Sequence, residues 1–407
     1  MELEGKYAQW MYYALVLLAF AAEFSPAVTS IAIVFGILLV IVHRVHLHAW
    51  PKIDDRLWRV ICCYFLLWAF IAMFSIEPLH SLREVFGEFY RTFPLFFVMM
   101  ALKSKEHVKG IMLALSFSVL INDVVSMWQF WGMGIHRPPG MNNTPSFVAV
   151  HMVMVIPVLW WGANRELFSM VWRRLFLALC LISMVVLVIT FTRGGWLAFF
   201  IVCLVYCLMA KSHRKKVLLG IAGVLLAFAI VMMVVPSVQQ RFVSIVNVKT
   251  DTSNLERLYL WQSACEMVKD HPLVGVGPDE FGLAYNSQYI LPQARHRRVN
   301  GDSGLGQAHN NLLHRFAEGG ILGGMAFVML YAYLLYRLIL VHRQRENIEE
   351  ESFALMGILV FTGLHVSGIV DANTTDVPIM REFWMLMGLS LVADDALEAD
   401  HGVHVGG

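Results

Sequence analysis

Charge is what this 407-residue sequence has least of: Asp, Glu, Lys and Arg make up 15% of it, against 58% hydrophobic residues. A soluble enzyme of this length needs far more charge to cover its surface, so that class is excluded. The net charge of +1 also argues against a nucleic-acid partner, which would call for a basic face. The six cysteines make no framework. Cys62, Cys63, Cys180, Cys203 and Cys207 lie within apolar runs, and Cys265 has no partner in its polar segment. Neither DxD nor HExxH occurs; Glu256, Asp270, Asp279, Glu280 and Asp302 are scattered, and His43, His46 and His48 have no carboxylate or thiol at ligand spacing. The expectation is a protein without a catalytic metal or other cofactor. The N-terminal apolar run lacks a basic start and a small-residue cleavage site, so it is expected to be an uncleaved first span.

Long apolar runs are what the sequence has instead. IAIVFGILLVIV, LFLALCLISMVVLVI and VLLGIAGVLLAFAIVMMVV approach or reach the roughly 20 residues a helix needs to cross a bilayer, and the short alternating strands of a membrane barrel are absent. The pattern predicts an all-α polytopic membrane protein with about 12 transmembrane helices, at roughly 8–22, 26–42, 58–75, 82–101, 108–131, 146–162, 170–190, 194–210, 216–236, 310–340, 352–371 and 380–395. Residues 1–236 would hold spans one to nine, 237–309 one large outer loop, 310–396 spans ten to twelve, and 397–407 a tail on the starting side. If the basic segment Lys211 to Lys216 is cytoplasmic, 18 Lys and Arg fall on that side and five on the short outer connections, which makes the topology self-consistent. Within the large loop, Asn254 to Asp270 reads as a helix with Asn254 as N-cap and His271-Pro272 as its stop. A turn at Gly275, Gly277 and Pro278 follows, then a basic patch from Arg295 to Arg298.

The outer connections are poor in charge, yet their arginines sit among Gly, Pro, Asn and Thr. Arg137 lies in HRPPGMNNTP, Arg193 in FTRGGW, Arg381 follows DANTTDVPIM, and Arg257 opens the loop helix in NLERLYLWQSA. Snorkelling to lipid headgroups is the simpler reading of any single arginine, and it is the one adopted for Arg83, Arg241 and Arg315. For a cluster accompanied by glycine-rich turns, bidentate binding of a diphosphate is the better reading. Arg91 shares a helical stripe with Glu84 and Glu88, so an internal ion pair and a ligand contact are equally open. His309, followed by Asn310 and Asn311, stands where the chain re-enters its apolar course. It is either a general base for an acceptor hydroxyl or part of a helix cap in which the two amides satisfy free N–H groups. Asp371 and Asp376 read as partners of Arg381 or as caps.

Taken in order, FTRGGWLA, ERLYLWQSACEMVKDHPLVGVGPDEF and QAHNNLLHRFAEGGILGG, on a chain of many spans with one large outer loop, resemble the bacterial O-antigen ligase superfamily, which also includes O-antigen polymerases and protein O-oligosaccharyltransferases. The motif-bearing part runs from about Arg137 to Gly324, and the topology resemblance covers nearly the whole chain. The resemblance implies a GT-C-like inverting glycosyltransferase of the bacterial inner membrane. Its donor would be an undecaprenyl-diphosphate-linked glycan, used without a metal on the periplasmic face. The family's essential histidine falls on His309, with Asn310 and Asn311 in support, and its diphosphate-binding arginines fall on Arg193 and Arg257. Arg137 matches through RPPGMN, while Arg91 and Arg381 match in position only. The acceptor would be a lipid A-core sugar in a ligase or a second lipid-linked glycan in a polymerase; the single dominant loop ending at HNN favours the ligase. A transporter of lipid-linked sugars would show repeated halves and polar groups at mid-bilayer. A cell-wall polymerase of the shape-and-elongation type would centre on an acidic residue.

Overall fold

The computed structural model describes residues 2–141, 144–210, 236–243, 251–297, 306–344 and 352–402, with isolated positions between 218 and 233. The described residues are helical and contain no strand. The order is α1 (Glu2–Ala21), α2 (Pro26–Leu47), α3 (Asp55–Ala72), α4 (Pro78–Tyr90), α5 (Phe93–Ala101), α6 (Lys105–Met127), α7 (Pro145–Asn164), α8 (Met170–Ile189), α9 (Arg193–Met209), α10 (Pro236–Val243), α11 (Thr252–Asp270), α12 (Phe281–Ala284), α13 (Asn311–Gln344), α14 (Phe353–Ser367) and α15 (Val377–Gly402). Five helical stretches are long and apolar enough to cross a bilayer: α2, α6 with its π-helical extension to Gly132, α7, α8 and α13; α9 and α14 are shorter apolar helices. The protein is thus an all-α, multi-pass membrane protein. The ninth expected span, 216–236, and the basic segment before it fall almost wholly outside the described residues, as do the side chains of the patch from Arg295 to Arg298.

Large apolar side chains are sorted in the way a lipid solvent requires. α7 is buried without interruption from Val148 to Leu159, and α5, α14 and α15 are almost as enclosed, so these helices form the centre of the bundle. On α2 and α8, by contrast, Ile31, Val34, Leu38, Leu177, Leu181 and Val185 are exposed, a distribution suited to lipid and costly in water. α7 packs against α8 and α14, α15 against α5 and α14, and α1 against α2, α5 and α6. The fourth expected span is two helices. α4 ends at Tyr90, Arg91 and Thr92 turn the chain, and Pro94 near the start of α5 cannot donate to a continuous ladder.

The large loop is locked to the bundle through a break in α13. Gly320 has φ +58 inside that helix, a conformation that suits glycine and leaves helical N–H groups without their usual partners. The segment after α11 supplies them: Ile321 N–H donates to Pro272 O at 2.8 Å and Leu322 N–H to Leu273 O at 3.2 Å. In return, Val276 N–H donates to Ala317 O at 3.0 Å and Gly277 N–H to Glu318 O at 2.9 Å. The motifs HPLVGVG and AEGGILGG are therefore two sides of one backbone joint, and α11 lies along α13.

Candidate functional site

At one end of the bundle, α7, α9, α10, α11 and the approaches to α13 and α15 enclose a cavity of about 430 Å³. Arg137, Arg193, Arg241, Arg257, His309 and Asp371 line it, with Glu256, Trp261 and Val150. Three of its guanidiniums are aimed by backbone carbonyls. Phe191, in the left-handed region at φ +52, turns the chain ahead of α9. Around that turn, Thr190 O accepts from Arg137 Nε and Phe191 O from Arg241 Nε, both at 3.2 Å. Arg257 Nε donates to Val370 O at 2.8 Å, and its Nη1 to Ser253 Oγ at 3.0 Å. Arg193, the first residue of α9, meets Asp251 Oδ1 at 3.1 Å, and the second oxygen of Asp251 lies 3.9 Å from Arg241. That carboxylate is also the N-cap of α11, accepting from Asn254 N; the helix thus begins earlier than expected and Asn254 lies inside it.

Like charges crowd this wall. Arg137, Arg241 and Arg257 are each held below the usual guanidinium range, first by burial and then by Arg193; Arg257 also lowers the other two, while nearby carboxylates oppose the shift at Arg241 and Arg257. Asp251, although burial opposes it, stays below the usual carboxyl range through its bonds to Arg193 and Asn254. Cations forced together in a half-buried cavity create a site that a dianion would relieve.

His309 faces the same cavity from the foot of α13, itself at φ +48. Its Nδ1 lies 3.0 Å from Asp371 Oδ1. A carboxylate can only accept, so the ring proton belongs on Nδ1 and the lone pair on Nε2. The two amides after it staple α13 to the α14–α15 connection. Asn310 Oδ1 caps Leu313 N at 2.9 Å while its Nδ2 donates to Ile369 O, also at 2.9 Å. Asn311 Nδ2 donates to Asn373 Oδ1 at 2.7 Å, and its Oδ1 accepts from Thr374 N at 3.2 Å. The capping and the aligned imidazole are thus two outcomes of one motif.

Four of the expected arginine-histidine set, Arg137, Arg193, Arg257 and His309, come together here; Arg91 and Arg381 do not. Arg91 Nη1 donates to Thr375 O at 2.6 Å and so holds the turn behind Asp371. Arg381 is buried, bonded to Pro26 O at 2.8 Å and Thr29 Oγ1 at 2.7 Å, with Tyr90 beneath its guanidinium. Neither partner anticipated for Arg91 is taken, because Glu88 instead meets Arg315 at 2.7 Å. Arg315 is not at a lipid surface: it is buried between Glu88, Glu318 and the face of Trp68. Arg241, expected to snorkel, lines the cavity, and Asp371 serves His309 rather than Arg381. The sequence signal for Arg241 was weak, since it stands alone beyond a run of apolar residues. Asp371 could have been sought only by asking what orients His309.

The family model described as O-antigen ligase matches residues 177–328, which contain Arg193, Arg241, Arg257 and His309. The chain is 24% identical over 392 residues to an O-antigen ligase of Salmonella typhimurium, covering 90% of this chain and 92% of that one. It is 21% identical over 359 residues to a Rickettsia conorii protein named provisionally as a polysaccharide ligase, covering 84% and 81%. An uncharacterized Haemophilus influenzae protein is 20% identical over 266 residues, covering 62% of this chain and 65% of the relative.

Proposed function

We propose that this chain, which resembles the O-antigen ligase superfamily, is an O-antigen ligase, a membrane glycosyltransferase. It would move a glycan from undecaprenyl diphosphate to a sugar hydroxyl of lipid A-core. The reaction would be inverting and metal-independent, on the periplasmic face of the inner membrane, in a GT-C-like bundle with about 12 spans. The observation that carries this reading is the imidazole of His309, aligned by Asp371 on a cavity that four arginines also line.

In this reading the donor diphosphate lies against Arg137, Arg193, Arg241 and Arg257. His309 Nε2 takes the proton of the acceptor hydroxyl as its oxygen bonds to the anomeric carbon, on the face opposite the diphosphate. The bond from the anomeric carbon to the phosphate oxygen breaks, and the electron pair leaves with the lipid diphosphate. The arginines stabilise that charge as it develops, the contribution that dominates transfers of this kind. Nδ1–H remains on Asp371, which stabilises the imidazolium. Asn310 and Asn311 hold the histidine to its carboxylate, while Arg91 and Arg381 brace the turn and the bundle without touching the donor.

The test is transfer by purified protein in EDTA, with undecaprenyl-diphosphate oligosaccharide as donor and either lipid A-core or a second lipid-linked oligosaccharide as acceptor. Product on lipid A-core, lost in His309→Ala, is the expected result. Elongation of the lipid-linked glycan alone would make the enzyme a polymerase, and full activity in the variant would reduce His309 to a helix cap.

A further inference from the structure

A second cluster of titratable side chains lies behind the cavity wall, and the transfer chemistry does not use it. Glu23 follows the end of α1, His151 lies in the second turn of α7 next to the cavity-lining Val150, and Glu382 is on α15. All three are fully buried, and one donor atom from each lies within 4.8 Å of the others. His151 Nδ1 is 2.5 Å from Glu382 Oε2 and 3.3 Å from Glu23 Oε1. Asn122 Nδ2 on α6 donates to Glu23 Oε2 at 3.2 Å, and Ser118 Oγ accepts from Glu23 N at 2.9 Å.

The imidazole cannot serve both carboxylates at once. Nδ1 can carry one proton, so it can donate well to only one of the two carboxylates. Glu382 Oε1 is buried with no hydrogen-bond partner. A protonated imidazole supplies one positive charge against two carboxylates, so inside an apolar bundle the cluster must hold either a further proton or a cation. A divalent cation at the focus of the cluster neutralises both carboxylates and takes the imidazole nitrogen as a third ligand. One nitrogen and two carboxylate oxygens suit zinc, manganese or ferrous iron. With Glu382 binding through both oxygens, its Oε1 being otherwise without a partner, the shell reaches four donors of which one is nitrogen, and this does not suit calcium or magnesium, which take more numerous, all-oxygen ligands.

We propose that Glu23, His151 and Glu382 form a structural site for a divalent transition-metal ion that ties α1, α7 and α15 together behind the arginine cavity. The ion lies outside the cavity and takes no part in the transfer. Because the site is sealed, it would be filled during folding and exchange slowly with chelators. Occupancy of the site does not depend on the proposed ligase activity and is tested without substrate.

The experiment is elemental analysis of the full chain, carrying an affinity tag free of histidine, purified in detergent from cells grown with zinc, manganese and iron. The expected result is about one equivalent of one of these metals per chain, lost in Glu382→Gln and His151→Asn but kept in His309→Ala. X-ray absorption on the wild type should show oxygen and nitrogen ligands including one imidazole, a reading that does not depend on the variants folding. Wild-type protein containing only trace metal, with an unfolding midpoint unmoved by adding the three ions, overturns the proposal. So does a sulfur ligand shell, which would put the ion on cysteine.

Discussion

Asp371 Oδ1 accepts from two donors at once, the ring of His309 and the backbone N–H of Ala372, each at 3.0 Å. The second bond fixes the carboxylate, and the carboxylate fixes the imidazole. Asp371→Asn keeps the shape but lets the amide donate to Nδ1, which turns the lone pair away from the acceptor. Transfer should fall by about 10²-fold or more in kcat, with little change in donor KM, and His309→Ala should fall by about 10²–10⁴-fold. Single-turnover assays at saturating donor check both.

Arg241 and Arg83 offer a paired comparison, since both read alike in the sequence and only one lines the cavity. Arg241→Ala should lower kcat/KM by about 10²-fold, as expected for loss of a cation that stabilises a leaving diphosphate. Arg83→Ala should leave it unchanged. Steady-state kinetics of the two variants decide whether the fourth guanidinium belongs to the site.

Arg381 is buried on a backbone carbonyl and a threonine hydroxyl, away from the cavity. Arg381→Met should therefore lower the unfolding midpoint in detergent while leaving the donor KM of the folded fraction intact. A selective rise in KM would instead return Arg381 to the diphosphate.

Arg315 balances Glu88 and Glu318 where α13 meets α3 and α4. Arg315→Met leaves both carboxylates without their cation, at a cost of about 3–5 kcal/mol. The variant should unfold at a markedly lower temperature. Because the backbone carbonyl of Glu318 accepts the loop's Gly277 N–H at 2.9 Å, a disturbance at this residue should also raise protease nicking near residues 271–280.

The Asp376 carboxyl is pushed up to about 7 by burial and by Asp371. The folded protein thus keeps a proton that the unfolded chain loses near the ordinary value of 3.8. This contribution to stability is complete below that value, declines as pH rises to about 7, and is flat beyond it. Asp376→Asn should flatten the fall in unfolding midpoint between pH 4 and 7, roughly the interval between those two values. Thermal scans across that range give the answer.

The sequence by itself determined the solvent of this protein and the chemistry available to it. Its scarcity of charge and its apolar runs require a bilayer, because only helices satisfy their own backbone there. HNN at the head of α13, TRGG before α9 and ERLYLW in the loop were legible as a polar face because each departs from the surrounding apolar pattern. Arg193, Arg257 and Arg137 could be read for the same reason. What the sequence could not determine was which charge meets which. Asp371 and Asp376 are five positions apart, yet one orients His309 and the other lies half-buried nearby; Arg91 and Arg315 both lay within reach of glutamates, and the bundle gave Glu88 to Arg315. Arg241 joined the cavity because the turn at Phe191 presents a carbonyl to it. Glu23, His151 and Glu382 converge from helices far apart in the chain. Such pairings depend on the rotation and contact of packed helices, which side-chain volumes along the whole interface decide together and which no local spacing encodes.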